Sequence, residues 1–268
     1  MPFEEFITQH ETVIRLSAFI SIFAIMASLE LIKPCRQLSV SKSQRWIANI
    51  GITVLNTLVL RLVFPIAATS MALWSANKGW GLFNILELPT LVEVALAIIV
   101  LDCVIYWQHV IFHYVPFFWA FHRMHHADLD YDVTTGARFH PIEIILSMSI
   151  KLVTILLLGP SVAAVVLFEV ILNGCAMFNH SNISLPAKLD RVLRLFLVTP
   201  DMHRVHHSVI EKETNSNFGF SLPWWDRLFG TYTPYPQHGN LGMTIGLNEY
   251  RDHQEADKLR GMLLIPFK

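Results

Sequence analysis

The chain has 268 residues, of which 53% are hydrophobic and only 15% are charged, and its mean hydropathy is +0.44. These values lie well to the apolar side of soluble domains and indicate one membrane domain over residues 1–268. A formal net charge of −1 excludes the strongly basic surface expected of a protein that binds nucleic acid. Three dispersed cysteines exclude a disulfide framework and a cysteine-type zinc site.

The first half of the chain contains three apolar segments that are long enough to cross a membrane at 1.5 Å per residue. Residues 13–32 form the first, and no cleavable leader signature accompanies them, so we expect this segment to remain as an anchor. Residues 47–73 form the second, which Arg61 and Pro65 interrupt, and residues 90–110 form the third.

Two further apolar segments, residues 141–158 and 161–178, are separated by a Gly-Pro pair and predict a helical hairpin. Both are short, and they contain Glu143, Lys151 and Glu169. The hairpin therefore either spans the membrane or re-enters it, and the chain is predicted to have four to five transmembrane or re-entrant helices.

Basic residues concentrate in the loop between the first two apolar segments: Lys33, Arg36, Lys42 and Arg45. The next loop holds only Lys78 and Glu87. The positive-inside rule predicts that the first loop is cytoplasmic, and the third helix then delivers the residues after position 109 to the same side. The expected location is a bacterial inner membrane or an endoplasmic reticulum.

Ten of the thirteen histidines fall between positions 109 and 207. They comprise one HxxxH pattern, two HxxHH patterns and two single residues: His109-x-x-x-His113, His122-x-x-His125-His126, His203-x-x-His206-His207, His140 and His180. Residues three and four apart share a helix face, so each box is expected to present its imidazoles in one direction. This number exceeds the three or four protein ligands usual for one ion, so the pattern predicts a site for two metal ions.

Three polar residues near the boxes are candidates for orienting imidazole ligands. Asp102 lies on the same predicted helix face as the HxxxH box, and we expect it to accept a hydrogen bond from an imidazole or to pack the helix. Glu143 follows His140 at a predicted helix start, where the two residues form a ligand and its support or simply a helix cap. Asn179 immediately precedes His180 and is expected to face the same side.

After residue 207 the chain becomes polar and rich in turns, which predicts a helical, strand-poor cap on the cytoplasmic side. The aromatic residues of this cap are expected either to border an acyl-binding cleft or to cover the metal site. Four basic residues on the same side are candidates for docking an acidic electron carrier or for contacting lipid headgroups: Lys188, Arg191, Arg194 and Arg204.

The ordered motifs of residues 100–235 resemble the fatty acid hydroxylase / sterol desaturase superfamily. Besides the boxes, the resemblance rests on these segments: Arg138-x-His140-Pro141-x-Glu143, Asn179-His180, Thr199-Pro200 and Trp225-Asp226-Arg227-Leu228-Phe229-Gly230-Thr231. It implies an all-α integral membrane protein, with anchor helices in residues 13–99 and a catalytic region at about 100–235. It further implies a cytoplasmic di-iron centre that uses O₂ to hydroxylate or desaturate an unactivated C–H bond of a lipid, such as a fatty acyl chain or a sterol. One departure is Val110, where members often have arginine.

The resemblance implies ten metal ligands: His109, His113, His122, His125, His126, His140, His180, His203, His206 and His207. The cofactors would be two iron ions, with zinc replacing them in overexpressed protein because Zn²⁺ outcompetes Fe²⁺ at nitrogen sites. O₂ would be the co-substrate. No dinucleotide fingerprint is present, so we expect an external electron donor of ferredoxin or cytochrome b5 type, served by an NAD(P)H reductase.

Two other classes of membrane protein also use histidine-rich sites. A zinc-dependent hydrolase is disfavoured because the chain has no HExxH motif and because hydrolysis rarely needs nine or ten imidazoles. A non-catalytic metal transporter or sensor is disfavoured because its ligands should occupy mid-membrane segments, whereas these lie at or beyond predicted helix ends.

Overall fold

A computed structural model describes residues 3–64, 66–86 and 88–268. Within these ranges the chain is helical, and its only extended pairing is an isolated antiparallel bridge between Ser208 and Ile245. The predicted all-α fold is therefore confirmed. The predicted interruption at Pro65 and the loop residue Glu87 lie outside the described residues.

The first nine helices contain the membrane-crossing part of the fold: α1 (Phe3–Gln9), α2 (Glu11–Ile32), α3 (Lys42–Val63), α4 (Ala68–Lys78), α5 (Leu82–Leu86), α6 (Thr90–Tyr114), α7 (Pro116–His126), α8 (Pro141–Leu158) and α9 (Val162–Asn179). Seven short helices follow: α10 (Ala187–Leu193), α11 (Pro200–His206), α12 (Glu211–Thr214), α13 (Trp224–Leu228), α14 (Gly239–Gly242), α15 (His253–Ala256) and α16 (Leu259–Leu264). Two 3₁₀ turns complete the described part, Thr135–Ala137 and Ile265–Phe267.

Five segments of the described chain are long and apolar enough to cross a membrane: Glu11–Ile32, Lys42–Leu86, Thr90–Tyr114, Pro141–Leu158 and Val162–Asn179. This number agrees with the prediction of four to five membrane helices. The protein is thus a multi-pass membrane protein by the length and composition of its helices.

The second apolar segment is divided between two helices, because α3 ends at Val63 and α4 begins at Ala68. The small residues Ala68 and Ala72 belong to a buried cluster with Leu101 of α6 and Ile155 of α8. Small side chains allow helices in a membrane to approach closely, so this break places α4 directly against the central helices.

Helices α8 and α9 form the predicted hairpin, and each of its 18-residue arms is about 27 Å long. Gly159 ends α8 with a φ of +61°, and a Cβ atom there would lie 2.3 Å from the carbonyl oxygen of Trp80, so the turn requires glycine. The backbone N–H and the hydroxyl of Ser161 each donate to the Glu93 carboxylate at 2.9 Å, which joins the turn to the start of α6. The hairpin turn thus lies at the end of the bundle opposite the histidines.

The loop before α3 packs against the part of the molecule that contains the histidine boxes. The hydroxyl of Ser39 donates to Asp130 at 2.9 Å, and the backbone N–H of Arg36 donates to the Asn182 side chain at 3.0 Å. The first loop and the histidine boxes therefore lie on the same face of the protein, as the topology argument expected.

Most of the basic residues used in that argument are engaged within the fold. Arg45 is buried in α3 and contacts Asp128 at 2.5 Å and Asp132 at 2.8 Å. Lys42 pairs with Glu30 at 2.6 Å. Arg36 donates to backbone carbonyls of residues 240–243. Arg45 thus holds the start of α3 against the loop after the first HxxHH box, while Arg36 and Lys42 hold the first loop against residues 240–243 and α2. Charge counting did not predict these structural roles.

Candidate metal centre

Four helices place histidines at their C-terminal ends, and these ends converge. Helix α6 carries His109 and His113 near its end, α7 ends at His126, His180 caps the end of α9, and α11 ends at His206. Prolines at the first helical positions of α7 and α11 suit a helix start, which is one local reason why both HxxHH boxes are helical.

Nine histidines are buried together in two groups. The five-imidazole group contains His109, His113, His122, His126 and His206. The four-imidazole group contains His125, His180, His203 and His207. Within each group, one ring nitrogen per residue lies within 4.8 Å of all the others. The structure therefore places the nine side chains as two separate candidate metal sites that adjoin each other.

Each HxxHH box contributes to both groups. In the first box His122 and His126 join the five-imidazole group and His125 joins the other. In the second box the outer residues join the four-imidazole group and the middle one, His206, joins the five-imidazole group. At about 100° per residue, the first and last histidines of a box lie about 40° apart around the helix axis. The middle histidine lies on the side of the first that faces away from the last. The expectation of one common direction for each box was too coarse.

The protonation of two imidazoles follows from their hydrogen bonds. His109 Nδ1 lies 2.8 Å from the Phe218 carbonyl, and His206 Nδ1 lies 2.7 Å from the Ser216 carbonyl. A carbonyl only accepts, so both Nδ1 atoms carry hydrogen and both Nε2 atoms present lone pairs. These Nε2 atoms are 3.0 Å apart. Two lone pairs at this distance repel each other, and a shared cation would remove that repulsion.

Several other ring nitrogens have no hydrogen-bond partner within the described parts of the chain: Nε2 of His113, His122 and His126, Nδ1 of His125 and His203, and both nitrogens of His207. A buried polar atom without a partner costs about 1–3 kcal/mol. Metal coordination would satisfy most of these atoms at once. The donor set consists of neutral imidazoles, which suit iron, zinc, copper and nickel.

Burial keeps several imidazoles of the site neutral. Burial lowers the pKa of His180 to about 4, and burial followed by the neighbouring imidazoles lowers the pKa values of His125, His126 and His203 well below the ordinary value. A neutral imidazole is the form that binds metal. These imidazoles are therefore ready to bind cations at physiological pH without first releasing protons.

Two side chains support imidazoles of the five-imidazole group. His122 Nδ1 lies 2.6 Å from Glu143 Oε1, so the carboxylate lies where the sequence predicted an orienting group. His113 Nδ1 lies 3.1 Å from the side-chain oxygen of Asn215, a residue that sequence reasoning missed. The available signal was the polar turn that immediately follows the last histidine box.

That turn is shaped by Asn217, which adopts a φ of +51°. Asparagine tolerates this left-handed conformation better than most residues. Its side-chain amide donates to the carbonyls of Met202 and Thr233 and accepts from the Thr233 N–H. The turn therefore holds the Ser216 and Phe218 carbonyls in the positions that accept from the imidazoles.

Of the two alternatives for Asp102, the structure supports a packing contact and not a hydrogen bond to an imidazole. Asp102 Oδ2 accepts from the Trp225 indole at 2.9 Å and from the Leu222 N–H at 3.2 Å. It lies seven residues before His109, about 10 Å along the helix, which is too far for contact with the ring. Asp102 instead joins α6 to the segment around α13.

His140 is not among the nine clustered histidines. It precedes α8, where its Nδ1 accepts from the Ile142 N–H at 3.2 Å, and its ring packs on Phe121 at 5.2 Å. Asn179 lies next to the site but does not contact an imidazole through its side chain. Its amide donates to the Phe220 carbonyl at 2.8 Å, and it belongs to the scaffold around His180.

A cavity of about 340 Å³ leads from the membrane part of the bundle to the five-imidazole group. His109, His122 and Glu143 line one end of it. Most of its wall is apolar and comes from α6, α8, α9 and the loop segments near the centre: Ile105, Phe112, Phe139, Met148, Leu172 and Phe220. Phe220 also lies 6.3 Å from His180, so this aromatic residue both borders the cavity and covers the histidines.

The pattern of residues 94–231, just over half of the chain, matches the profile described as fatty acid hydroxylase. Among curated proteins, the ornithine lipid hydroxylase OlsE of Rhizobium tropici is 28% identical over 58% of this chain and 47% of its own length. The alkylglycerol monooxygenase of Xenopus tropicalis is 29% identical over 80% of this chain and 47% of its own length. The human alkylglycerol monooxygenase is 32% identical over 54% of this chain and 32% of its own length.

The chain thus spans about half or less of the length of these relatives. No solved structure matches it significantly. The profile match covers the segment that contains all nine clustered histidines, together with Glu143 and the Trp225–Thr231 motif. The chain therefore belongs to the fatty acid hydroxylase family.

Proposed function

We propose that this protein is a membrane-bound di-iron oxidoreductase that uses O₂ to hydroxylate or desaturate an unactivated C–H bond of a lipid. The observation that carries the proposal is the pair of buried imidazole groups at the end of an apolar cavity. Relatives named as a lipid hydroxylase and as alkylglycerol monooxygenases support oxygenation of a lipid. The nine clustered histidines are the proposed ligands, and residues 1–268 form one domain in this proposal.

Iron bound at the two groups would supply the redox chemistry that amino-acid side chains lack. The protein's part is to hold the ligands in fixed orientations and in the neutral form. Glu143 accepts from His122, and the Phe218 and Ser216 carbonyls accept from His109 and His206. Such partners set the tautomer and direct the remaining lone pair toward the ion.

The cavity would bring a lipid to the metal centre and exclude water from it. Ile105, Phe112 and Phe139 surround the approach to His109 and His122, so an alkyl chain would replace water there. Exclusion of water strengthens electrostatic interactions in the site and suppresses side reactions.

The decisive experiment combines purification with lipid analysis. Protein loaded with iron and supplied with O₂ and electrons should add one oxygen to a lipid or remove two hydrogens, as measured by mass spectrometry of membrane lipids. Active protein should contain two iron ions per chain by elemental analysis. One ion per chain, or hydrolysed lipid without O₂ consumption, would contradict the proposal and favour a zinc hydrolase.

Electron supply is the next part of the proposal. We expect the isolated protein to be inactive with lipid and O₂ until a reductase and a ferredoxin or cytochrome b5-type carrier are added. Of the predicted docking residues, Arg194 and Arg204 are buried and paired with Asp190 and Asp201, so they cannot contact a carrier. Sustained turnover with NAD(P)H alone would refute the partner requirement.

We also propose that the histidine face is cytoplasmic. Reporter fusions at exposed positions after Ser41 and after Ile210 should both report the cytoplasm, because the first loop and the histidine boxes share one face. Reports from opposite sides would contradict the fold, and a common report from the outer side would contradict the orientation.

A further inference from the structure

The membrane part of the bundle contains an ion cluster that the proposed metal centre does not use. Lys151 Nζ of α8 lies 2.6 Å from Glu169 Oε1 of α9, and a guanidinium nitrogen of Arg15 in α2 lies 2.5 Å from Glu169 Oε2. Two cations therefore share one carboxylate. We call these three residues the Lys151–Glu169–Arg15 cluster.

Within ion-pair distance the cluster contains two cations and one carboxylate. No carboxylate other than Glu169, among the residues that the structure describes, lies within 4.0 Å of Lys151 or Arg15, and this includes Glu11 one turn before Arg15. The Lys151 and Glu169 side chains are only 12% and 11% exposed. Charged side chains in a membrane span are costly and usually face a functional cavity.

The cluster lies where two cavities adjoin. Lys151 lines the 340 Å³ cavity that ends at His109 and His122. Arg15 and Glu169 line a second cavity of about 190 Å³. Three residues line both, namely Phe19, Asn173 and Met177. A molecule bound at the Lys151 ammonium therefore lies in the same cavity as His109 and His122.

The distance between Lys151 and the metal centre can be measured along α8. Glu143, Ser147 and Lys151 are spaced by four residues and all line the larger cavity. Eight residues correspond to about 12 Å along a helix axis. An extended chain held at Lys151 would reach Glu143, which contacts the ring of His122.

We propose that the Lys151–Glu169–Arg15 cluster binds the anionic group of the lipid substrate, a carboxylate or a phosphate ester. Lys151 and Arg15 each retain N–H donors beyond those that contact Glu169. An apolar cavity alone does not define how far an alkyl chain slides, whereas a charged anchor at one end does. The cluster would thereby select which carbon reaches the metal centre. This inference rests on the proposed function for the event at the far end, but anion binding itself does not require turnover.

The test is equilibrium binding of three lipids to the metal-loaded protein in neutral detergent, without O₂ or reductant. The probes are palmitate, dodecyl phosphate and methyl palmitate, and the proteins are wild type, Lys151→Met, Glu169→Gln and Lys78→Met. Lys78 is an exposed lysine at the end of α4 and serves as the matched control. We expect Lys151→Met to weaken binding of at least one anionic lipid by ~10-fold or more and to leave methyl palmitate unchanged.

The Glu169→Gln variant distinguishes an anion site from a purely structural ion network, because the two predict opposite changes in affinity for an anionic lipid. It removes the negative charge of the cluster, so the anionic lipid should bind more tightly to this variant than to wild type. A purely structural ion network predicts that both variants weaken binding, since each breaks an ion pair. Thermal unfolding of each variant, and rescue by Lys151→Arg, verify that the protein remains folded. The preferred anionic probe identifies carboxylate or phosphate as the ligand.

The proposal is overturned if Lys151→Met leaves the affinity for both anionic lipids unchanged. It is also overturned if the variants change methyl palmitate binding as much as palmitate binding. A wild-type protein that binds palmitate through Lys151 yet oxidises no lipid would refute the proposed function and leave the anion site standing. A protein that oxidises lipid with the same KM in the Lys151→Met variant would refute the anion site alone.

Discussion

The two imidazole groups differ in how the surrounding protein holds them. In the five-imidazole group, four rings have Nδ1 within hydrogen-bond distance of a protein acceptor: His109 with Phe218 O, His113 with Asn215, His122 with Glu143 and His206 with Ser216 O. In the four-imidazole group only His180 does so, at 2.8 Å from the Ala176 carbonyl, as far as the described residues show. Hydrogen bonds thus orient four of five rings in one group and one of four in the other.

Packing and more distant charges surround the four-imidazole group instead. Phe139 stacks on His125 with ring centroids 4.7 Å apart, and Tyr131 lies 5.2 Å from His207. Burial alone would raise the pKa of Asp128, but Arg45 and Arg138 hold it well below its ordinary value, so a negative charge persists beside the group. A fixed anion favours a nearby cation without orienting any ring.

This difference predicts that the two groups bind their ions with different strength. Hydrogen-bonded imidazoles lose less orientational freedom when an ion binds, so the five-imidazole group should hold its ion more tightly. It is also the group whose residues line the cavity. The group with unanchored rings can adjust its geometry more easily during the reaction.

Removal of one ligand should have the largest effect. His206→Ala and His203→Ala each remove one imidazole from a different group, and both should lower lipid oxidation by more than ~100-fold. Elemental analysis should show about one iron per chain in each variant rather than two. The controls are His253→Ala, at a partly exposed surface position, and His140→Ala, outside both groups; both should retain two irons. Loss of an ion in His140→Ala would show that His140 is a metal ligand after all.

Loss of an orienting partner should have the next largest effect. Glu143→Gln removes the carboxylate that contacts His122, and we expect a ~10–100-fold loss of iron affinity or of activity. Glu93→Gln is the matched control, because Glu93 is also buried but binds Ser161 at the opposite end of the bundle. Equal iron affinity in both variants, measured by competition with a chelator, would show that the bond to Glu143 does not support the metal.

The comparison itself predicts two-step metal loss. When wild-type protein is titrated with a chelator, the ion of the four-imidazole group should leave first, several-fold more readily than the other. His180→Ala should remove the weaker step and leave the stronger one. A single step with simultaneous loss of both ions would indicate that the groups bind as one unit despite their different surroundings.

The smallest effect concerns Asp226, which accepts from the Phe218 and Gly219 N–H groups and thereby supports the carbonyl that contacts His109. Burial raises the pKa of Asp226 to about 6 from its ordinary value of 3.8. The proton is therefore held more tightly in the folded state. The protonated Asp226 carboxyl therefore contributes to the stability of the folded protein, on the order of 3 kcal/mol at most. This contribution is complete below pH 4 and is lost as the pH rises through 6.

Asp226→Asn removes this titration. The difference in Tm between wild type and the variant should therefore shift against wild type by a few degrees between pH 4.5 and 7.5. Comparing the two proteins at each pH cancels the contribution of the histidines to the Tm, because the histidines titrate in both proteins. A difference that stays constant with pH would show that Asp226 is ionised throughout this range.

Much of this protein was predictable from local spacing. The histidine boxes lie in helix ends that begin at proline or follow a long apolar run, and those signals are contained within a few consecutive residues. Glu143 was predicted for the same reason, because it lies in the first turn of α8. The all-α membrane fold followed from segment length and hydropathy, which are additive along the chain.

Contacts between distant segments decided the rest. His109 and His206 lie 97 residues apart, yet their Nε2 atoms are 3.0 Å from each other, and no local pattern specifies that pairing. The carbonyls of Ser216 and Phe218 orient two imidazoles, but a backbone carbonyl has no residue signature in the sequence. Asp102 shares the helix face of the HxxxH box and still binds Trp225, because the chain after residue 220 returns to that level of α6. The residue types at each helix end are therefore readable from the sequence. Which of them meet is visible only in the fold, because each contact depends on the packing of helices that are far apart in the chain.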